Sequence, residues 1–235
     1  MAEAVLNSDA DGVVVAPSFI DESIEFTNKC RELKVPYVFI NADIPSQESL
    51  CYIGPELFKS GYLAGSLAKF AKSDRKKFLV VNIVKDIDNK HHVFRKEEGF
   101  KTYFRDQNID AEFIEANINQ PDYATVEKRL AEIFDKNPDI SSVFVTNSRV
   151  FTVARFLETK GYKDVLLIGY DYTEENLEYL KNGMISFLIC QKPEEQGYRG
   201  VMALYHHMIL KIPIATIDYM PIDIVTRENY EFYRN

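Results

Sequence analysis

Residues 164–198, DVLLIGYDYTEENLEYLKNGMISFLICQKPEEQGY, decide the fold. Two apolar runs, Val165 to Ile168 and Met184 to Ile189, have the length and β-branched content of buried strands, and Glu174 to Asn182 between them carries helical spacing. This predicts one β-α-β unit. In a parallel sheet, ligands sit in the crevice beyond the carboxyl ends of the strands. The first strand ends in Gly169-Tyr170-Asp171 and the second in Cys190-Gln191-Lys192-Pro193, so both deliver polar groups to one rim. An aromatic face, a pair of carboxylate acceptors and an amide that both donates and accepts make a mixture suited to a polyhydroxylated small molecule.

Outward from that unit, the same alternation continues in both directions. GVVVA at 12–16 reads as a buried strand, followed by a helix across 21–34 and a strand at 36–40. A short strand at 51–53 leads into a helix whose Gly61, Ala64, Gly65 and Ala68 allow close packing on a sheet. The charged stretch Lys72 to Lys77 is the expected boundary. A second series begins at Phe78, with a strand FLVVNIV, a helix at 93–105, a strand at 112–115, a helix at 123–134, the strand SVFVT and a helix at 150–159. After Gln191 a long helix is expected to about Leu210, then one extended segment and a short helical end. Such alternation predicts parallel sheets flanked by helices.

Composition narrows the function. With 235 residues, 46% of them hydrophobic, the chain has enough apolar content for one large domain or two lobes. A net charge of −8 argues against a large phosphate-neutralising surface. Nothing approaches a run of about 18 apolar residues, and MAEAVLNSDADG lacks the basic and apolar regions of a secretory signal. The three cysteines, Cys30, Cys51 and Cys190, are odd in number and sit in apolar context, as reduced core thiols do. A cytoplasmic protein with no membrane partner is therefore expected. His91-His92 and His206-His207 are adjacent pairs whose members point to different helix faces, which makes neither a metal site by itself. Neither GxGxxG nor GxxxxGK[ST], GxSxG or HExxH occurs, so an enzyme would need a site of another kind. No metal or cofactor is expected.

In order along the chain, DADGVVVAPS, VPYVFINAD, YIGPELFKSGYLAG, RKEEGF, SVFVTNS, IGYD, LKNGMISFLICQKPEEQGYRGVMALY and MPIDIVTRENYEFY resemble the effector-binding core of the LacI/GalR family of transcription regulators. The resemblance spans essentially the whole chain. It implies the type I periplasmic-binding-protein fold, two Rossmann-like lobes with three crossovers and the ligand between them. The lobes would be 1–74 plus 190–221 and 75–189 plus 222–235. It also implies that the family's first strand-helix unit and its DNA-binding helix-turn-helix precede this sequence, so the chain reads as N-terminally truncated, reaching DNA only through that head.

Carried over residue by residue, the resemblance places Asn41 at an acidic ligand position, Lys96 at an arginine position, Tyr123 and Tyr170 at stacking positions, and Asn147, Asp171 and Gln191 among the hydrogen-bonding groups. Asn41 and Lys96, with Ala42 where relatives can carry arginine, depart from charged bidentate recognition, so the ligand can differ from the relatives' pentoses. Glu56 reads as a charge at a helix N-terminus. Plainer roles compete at each position. Asp171 could cap the helix near Thr173, Asn147 could be a turn residue, Lys96 could lie on a solvated face beside Arg95, Glu97 and Glu98, and the tyrosines could be ordinary half-buried aromatics. The expected function is effector sensing for a LacI-type homodimer that binds a sugar or sugar derivative. The alternatives are a sugar-binding protein of a transport system and an α/β enzyme.

Overall fold

The computed structural model describes residues 4–5, 8–70, 77–84 and 91–235. In chain order its elements are β1 (Val13–Val15), α1 (Ile20–Glu32), β2 (Tyr37–Ile40), β3 (Cys51–Gly54), α2 (Leu57–Ala68), β4 (Lys77–Ile83), α3 (His91–Asp106), β5 (Glu112–Ile118), α4 (Tyr123–Lys136) and β6 (Ser142–Val145). Then follow α5 (Val150–Lys160), β7 (Leu166–Tyr170), α6 (Glu174–Lys181), β8 (Phe187–Cys190), α7 (Pro193–Tyr205), β9 (Ile217–Tyr219) and β10 (Asp223–Val225). The chain forms two compact units. One holds residues up to Glu56, Gln191–Pro221 and the terminal Asn235, the other Leu57–Cys190 and Ile222–Arg234.

Strands of the first unit are all parallel in the order β1-β2-β3-β9. Because successive side chains in a strand point to opposite faces, Tyr37 and Phe39 pack with Phe26 and Cys30 of α1, while Val38 turns to the other face with Cys51, Ile53 and the α7 residues Ala203 and Leu204. The second unit has six strands in the order β10-β8-β7-β6-β4-β5, parallel except for β10. Here Phe78, Val80, Phe144, Ile168 and Tyr170 join α2 and α3 on one face, and Leu79, Val81, Val143, Val145 and Leu167 join α4 and α5 on the other. Both sheets are covered on both sides, which is the α/β class expected from uninterrupted apolar strands.

The lobe boundaries at 74 and 190 move. The second unit begins at Leu57, so α2 leaves the first. The reason is a glycine contact: a Cβ on Gly61 would meet the Lys96 carbonyl of α3, and one on Gly99 would meet the Phe58 carbonyl of α2. The small residues read from α2 therefore serve a helix-helix contact as well as the sheet. Apart from Lys77, which opens β4 and pairs with Glu112 and Asp139, each at 3.2 Å, the charged stretch lies outside the described residues. The return to the first unit comes at Gln191. The tail supplies two strands, not one, because Pro221 divides β9, parallel to β3, from β10, antiparallel to β8. The long helix is α7 followed by a π-helical turn, His206–Leu210.

Candidate functional site

In the second unit the chain leaves β4 for β5 on one side and returns to β6 on the other, so the strand order reverses between β4 and β6. Beyond the carboxyl ends of strands at such a reversal lies the usual ligand crevice of a parallel sheet. The residues there are held by a buried polar network. Thr146, just past β6, donates from Oγ1 to Asn82 Oδ1 at 2.8 Å, and Asn82 Nδ2 donates to Glu97 Oε2 at 2.8 Å and Asn117 Oδ1 at 2.8 Å. Glu97 continues to Lys101 at 2.6 Å, which also pairs with Glu115.

Lys96, Tyr170 and Asp171 come together at this rim. Lys96 is only 5% exposed, so the solvated-face reading fails. Its Nζ donates to the Thr146 carbonyl at 3.3 Å and lies 3.7 Å from the Tyr170 ring centroid. Burial pulls its pKa down to about 8, with the Asp171 charge pulling the other way. Tyr170 is 0% exposed and its hydroxyl lies 2.9 Å from Ser60 Oγ. With one face under the ammonium and no surface open, it does not offer a stacking plane: its stacking role is corrected to that of a buried support for Lys96. Burial drives its phenol pKa far upward, the Ser60 hydrogen bond opposing and Asp171 adding to the rise.

Asp171 adopts φ +72°, a left-handed conformation uncommon outside glycine, and its N–H donates to the Ile189 carbonyl at 3.1 Å. It does not cap α6, since Thr173 takes that position and accepts from the Asn176 N–H at 3.3 Å. What holds Asp171 is Asn176, a residue the sequence reading passed over. Its fully buried amide donates to the carbonyls of Ser148 at 3.0 Å, Tyr170 at 2.9 Å and Asp171 at 3.0 Å, and accepts from the Phe151 N–H at 3.1 Å. One side chain thus ties the turn after β6 to the turn after β7. Only the Thr173-x-x-Asn176 spacing at the helix start could have drawn attention to it.

Two expected ligand groups are otherwise engaged. Asn147 donates to the Ile83 carbonyl at 2.8 Å and accepts from the Arg149 N–H at 3.1 Å, which makes it a turn residue. Tyr123 opens α4 and packs against α5, with the Arg155 guanidinium 3.9 Å from its ring centroid, so one face of that ring is taken. In the first unit Asn41 directly follows β2, with φ +68° and an exposed side chain. Its N–H donates to Gln196 Oε1 at 2.7 Å, and Gln196 Nε2 donates to the Gln191 carbonyl at 2.7 Å. Gln196 therefore joins Asn41 and Gln191, the latter only 4% exposed. This organising glutamine, too, was missed.

The chemistry on offer is binding: a buried cation, an adjacent carboxylate and amides that fix strand-end turns. Cys30, Cys51 and Cys190 are buried free thiols. Desolvation raises all three pKa values, that of Cys51 to about 11, which makes them poor nucleophiles. Among the described residues, no group of three or more His, Cys, Asp or Glu is placed to hold a metal ion, and no helix is long and apolar enough to cross a membrane.

Two α/β units sharing a chain that passes between them at 56–57, 190–191 and 221–222 define the architecture of type I periplasmic-binding-protein-like domains. Residues 1–211 match the model of the periplasmic binding protein domain, and the chain belongs to that family. The ribose import binding protein of Salmonella typhimurium is 23% identical over 80% of this chain, and the xylose/arabinose-binding protein of Sulfolobus acidocaldarius is 25% identical over 88% of it. The chain spans 62% and 54% of those two relatives. Among solved structures, a candidate LacI transcriptional regulator from Bacteroides fragilis matches with a TM-score of 0.87 at 29% identity, covering 99% of this chain and 81% of that one. A transporter solute-binding protein from Agrobacterium vitis bound to α-D-tagatopyranose matches in fold, with a TM-score of 0.85 at 22% identity over 97% of this chain and 79% of that one.

Proposed function

We propose that this chain binds a sugar or sugar derivative at the carboxyl-end rim described above and acts as the effector-sensing part of a LacI-type, cytoplasmic transcription regulator. The observation that carries the binding reading is the assembly of Lys96, Tyr170 and Asp171 at the strand-order reversal, with Asp171 held in a left-handed backbone by Asn176. Such conformations persist where the surroundings enforce them, and they cluster at ligand clamps. The regulator reading draws on the likeness to the Bacteroides fragilis protein and on three buried free thiols, which suit a reducing compartment. Its mechanism is population shift, in which the effector favours one conformation only by binding it more tightly than the other.

The regulator would work as a homodimer, because palindromic operators match two-fold protein symmetry. Sedimentation equilibrium should give a dimer mass at micromolar concentration; a monomer throughout would count against this part. A second reading, a solute-binding protein of a sugar transporter, is favoured by the ribose and pentose import relatives. Deleting the gene separates the two. Changed transcription of sugar-use genes with uptake intact supports the regulator, and lost uptake of labelled sugar supports the transporter. Binding itself is tested by a thermal-shift screen of monosaccharides, sugar acids and sugar phosphates, since a ligand of the folded state alone raises its melting temperature.

A further inference from the structure

Among the described residues, six other than glycine take a left-handed backbone. Lys34, Asn108 and Lys211 follow the ends of helices, where such a turn is common. Asn41, Asp171 and Lys192 follow the carboxyl ends of β2, β7 and β8, the side on which a parallel sheet holds its ligand. A strained residue there persists only where its surroundings enforce it. For Asp171 the enforcement comes from Asn176, and for Asn41 it comes from Gln196. Gln196 lies on α7, 155 positions from Asn41, and is 1% exposed. Its Oε1 accepts from the Asn41 N–H at 2.7 Å, closer than the Ile53 carbonyl at 3.2 Å that shares this donor. Its Nε2 donates to the Gln191 carbonyl at 2.7 Å. The Tyr52 hydroxyl stands 3.3 Å from the Asn41 carbonyl. The Asn41 backbone is thus held at both its polar groups, while its side chain is left exposed.

Resting on the sugar-binding reading, we infer that Gln196 is a positioning residue for the ligand: it fixes the Asn41 backbone so that the Asn41 amide is presented to a sugar hydroxyl. That amide both donates and accepts, as a hydroxyl does. A glutamine buried for stability alone has no need of a strained neighbour, since an unstrained turn would satisfy the same amide at lower cost. Here the buried amide holds an exposed polar residue in a conformation that residue would otherwise avoid. In the same step it ties Asn41 to the turn after β8, as Asn176 ties the turns after β6 and β7.

The test begins with titration of the whole chain by D-ribose, D-xylose, L-arabinose, D-glucose, D-gluconate and ribose 5-phosphate. The tightest of these is then titrated into Gln196→Met, Asn41→Ala and the double variant, each at a temperature where circular dichroism shows it folded. Each single substitution should weaken binding by about tenfold, equivalent to about 1.4 kcal/mol. The double variant should be little weaker than Asn41→Ala alone, because Gln196 acts through Asn41 and coupled residues do not add. A purely structural role would lower the melting temperature of Gln196→Met and leave its affinity intact. Unchanged affinity in that folded variant therefore overturns the inference and leaves sugar binding standing. Losses that add in full in the double variant also overturn it. Should Gln196→Met not fold, the wild type and Asn41→Ala decide. An Asn41 amide protected from hydrogen exchange, together with weakened binding in Asn41→Ala, upholds the inference; rapid exchange of that amide, or full affinity in Asn41→Ala, overturns it. If none of the six compounds binds, sugar binding falls and this inference with it.

Discussion

Lys96 and Asn176 illustrate opposite ways of burying a polar group. Asn176 has its donors and acceptor engaged, so Asn176→Ala leaves buried carbonyls and an N–H unmatched. The expected loss is about 3 kcal/mol, given roughly 1–3 kcal/mol for each buried group left unsatisfied, and the urea midpoint checks it. Lys96, whose burial outweighs the opposing pull of the Asp171 charge, should behave otherwise. Burial holds its pKa near 8 in the folded protein, below the 10.5 of an exposed lysine, so between those pH values the unfolded chain binds more protons and this group's contribution makes the protein more stable as pH rises. The three thiols and Tyr170, whose pKa values are raised, pull the opposite way at alkaline pH. The quantity to measure is therefore the difference between wild type and Lys96→Met in urea unfolding from pH 7.5 to 10. The variant should be the more stable at pH 7.5, by about 1–4 kcal/mol, and its advantage should shrink as pH rises. A constant difference would mean that Lys96 does not titrate in this range. At this scale the sequence was only partly legible. Tyr170 and Asp171 stand at a strand end as expected, but Ser60, which takes up the tyrosine hydroxyl, is 110 positions away, and Ile83, which takes up the Asn147 amide, is 64 away. Partners that distant leave no periodic trace.

At the scale of elements, α2 and α3 touch backbone to backbone at Gly61 and Gly99, and this contact carries Lys96 to the rim. Gly61→Val should force the helices apart. The expected cost is about 1–3 kcal/mol, the usual range for overpacking, together with weaker ligand binding as Lys96 shifts. Gly161→Ala offers a control, because a Cβ there meets nothing within 4 Å, although its φ of +75° adds a local backbone strain. Unfolding curves and affinity for Gly61→Val resembling wild type would refute the role of this contact. Most elements could be read from the sequence, since uninterrupted apolar strands and 3.6-residue spacing are local signals. The partner of α2 could not, because small residues allow close approach without saying to what. The tail likewise read as one extended segment, since three-residue strands in two sheets carry too little pattern to be told apart.

For the whole molecule, the periplasmic-binding-protein-like domain and the α/β architecture follow from the order and spacing of many weak motifs along one chain, which is why they were legible before any side-chain role was. The central claim is more local: the rim of the second unit, built on Asp171, binds a sugar or sugar derivative. The measurement that tests it most directly is a thermal-shift screen of the wild-type chain and Asp171→Ala against monosaccharides, sugar acids and sugar phosphates. At a ligand concentration about 100 times Kd, mass action adds about 2.7 kcal/mol to stability, a readily measured rise in melting temperature. The account predicts such a rise for the wild type with at least one compound and its loss in a folded Asp171→Ala. A wild type that no compound stabilises, or a rise of equal size in Asp171→Ala, would contradict it.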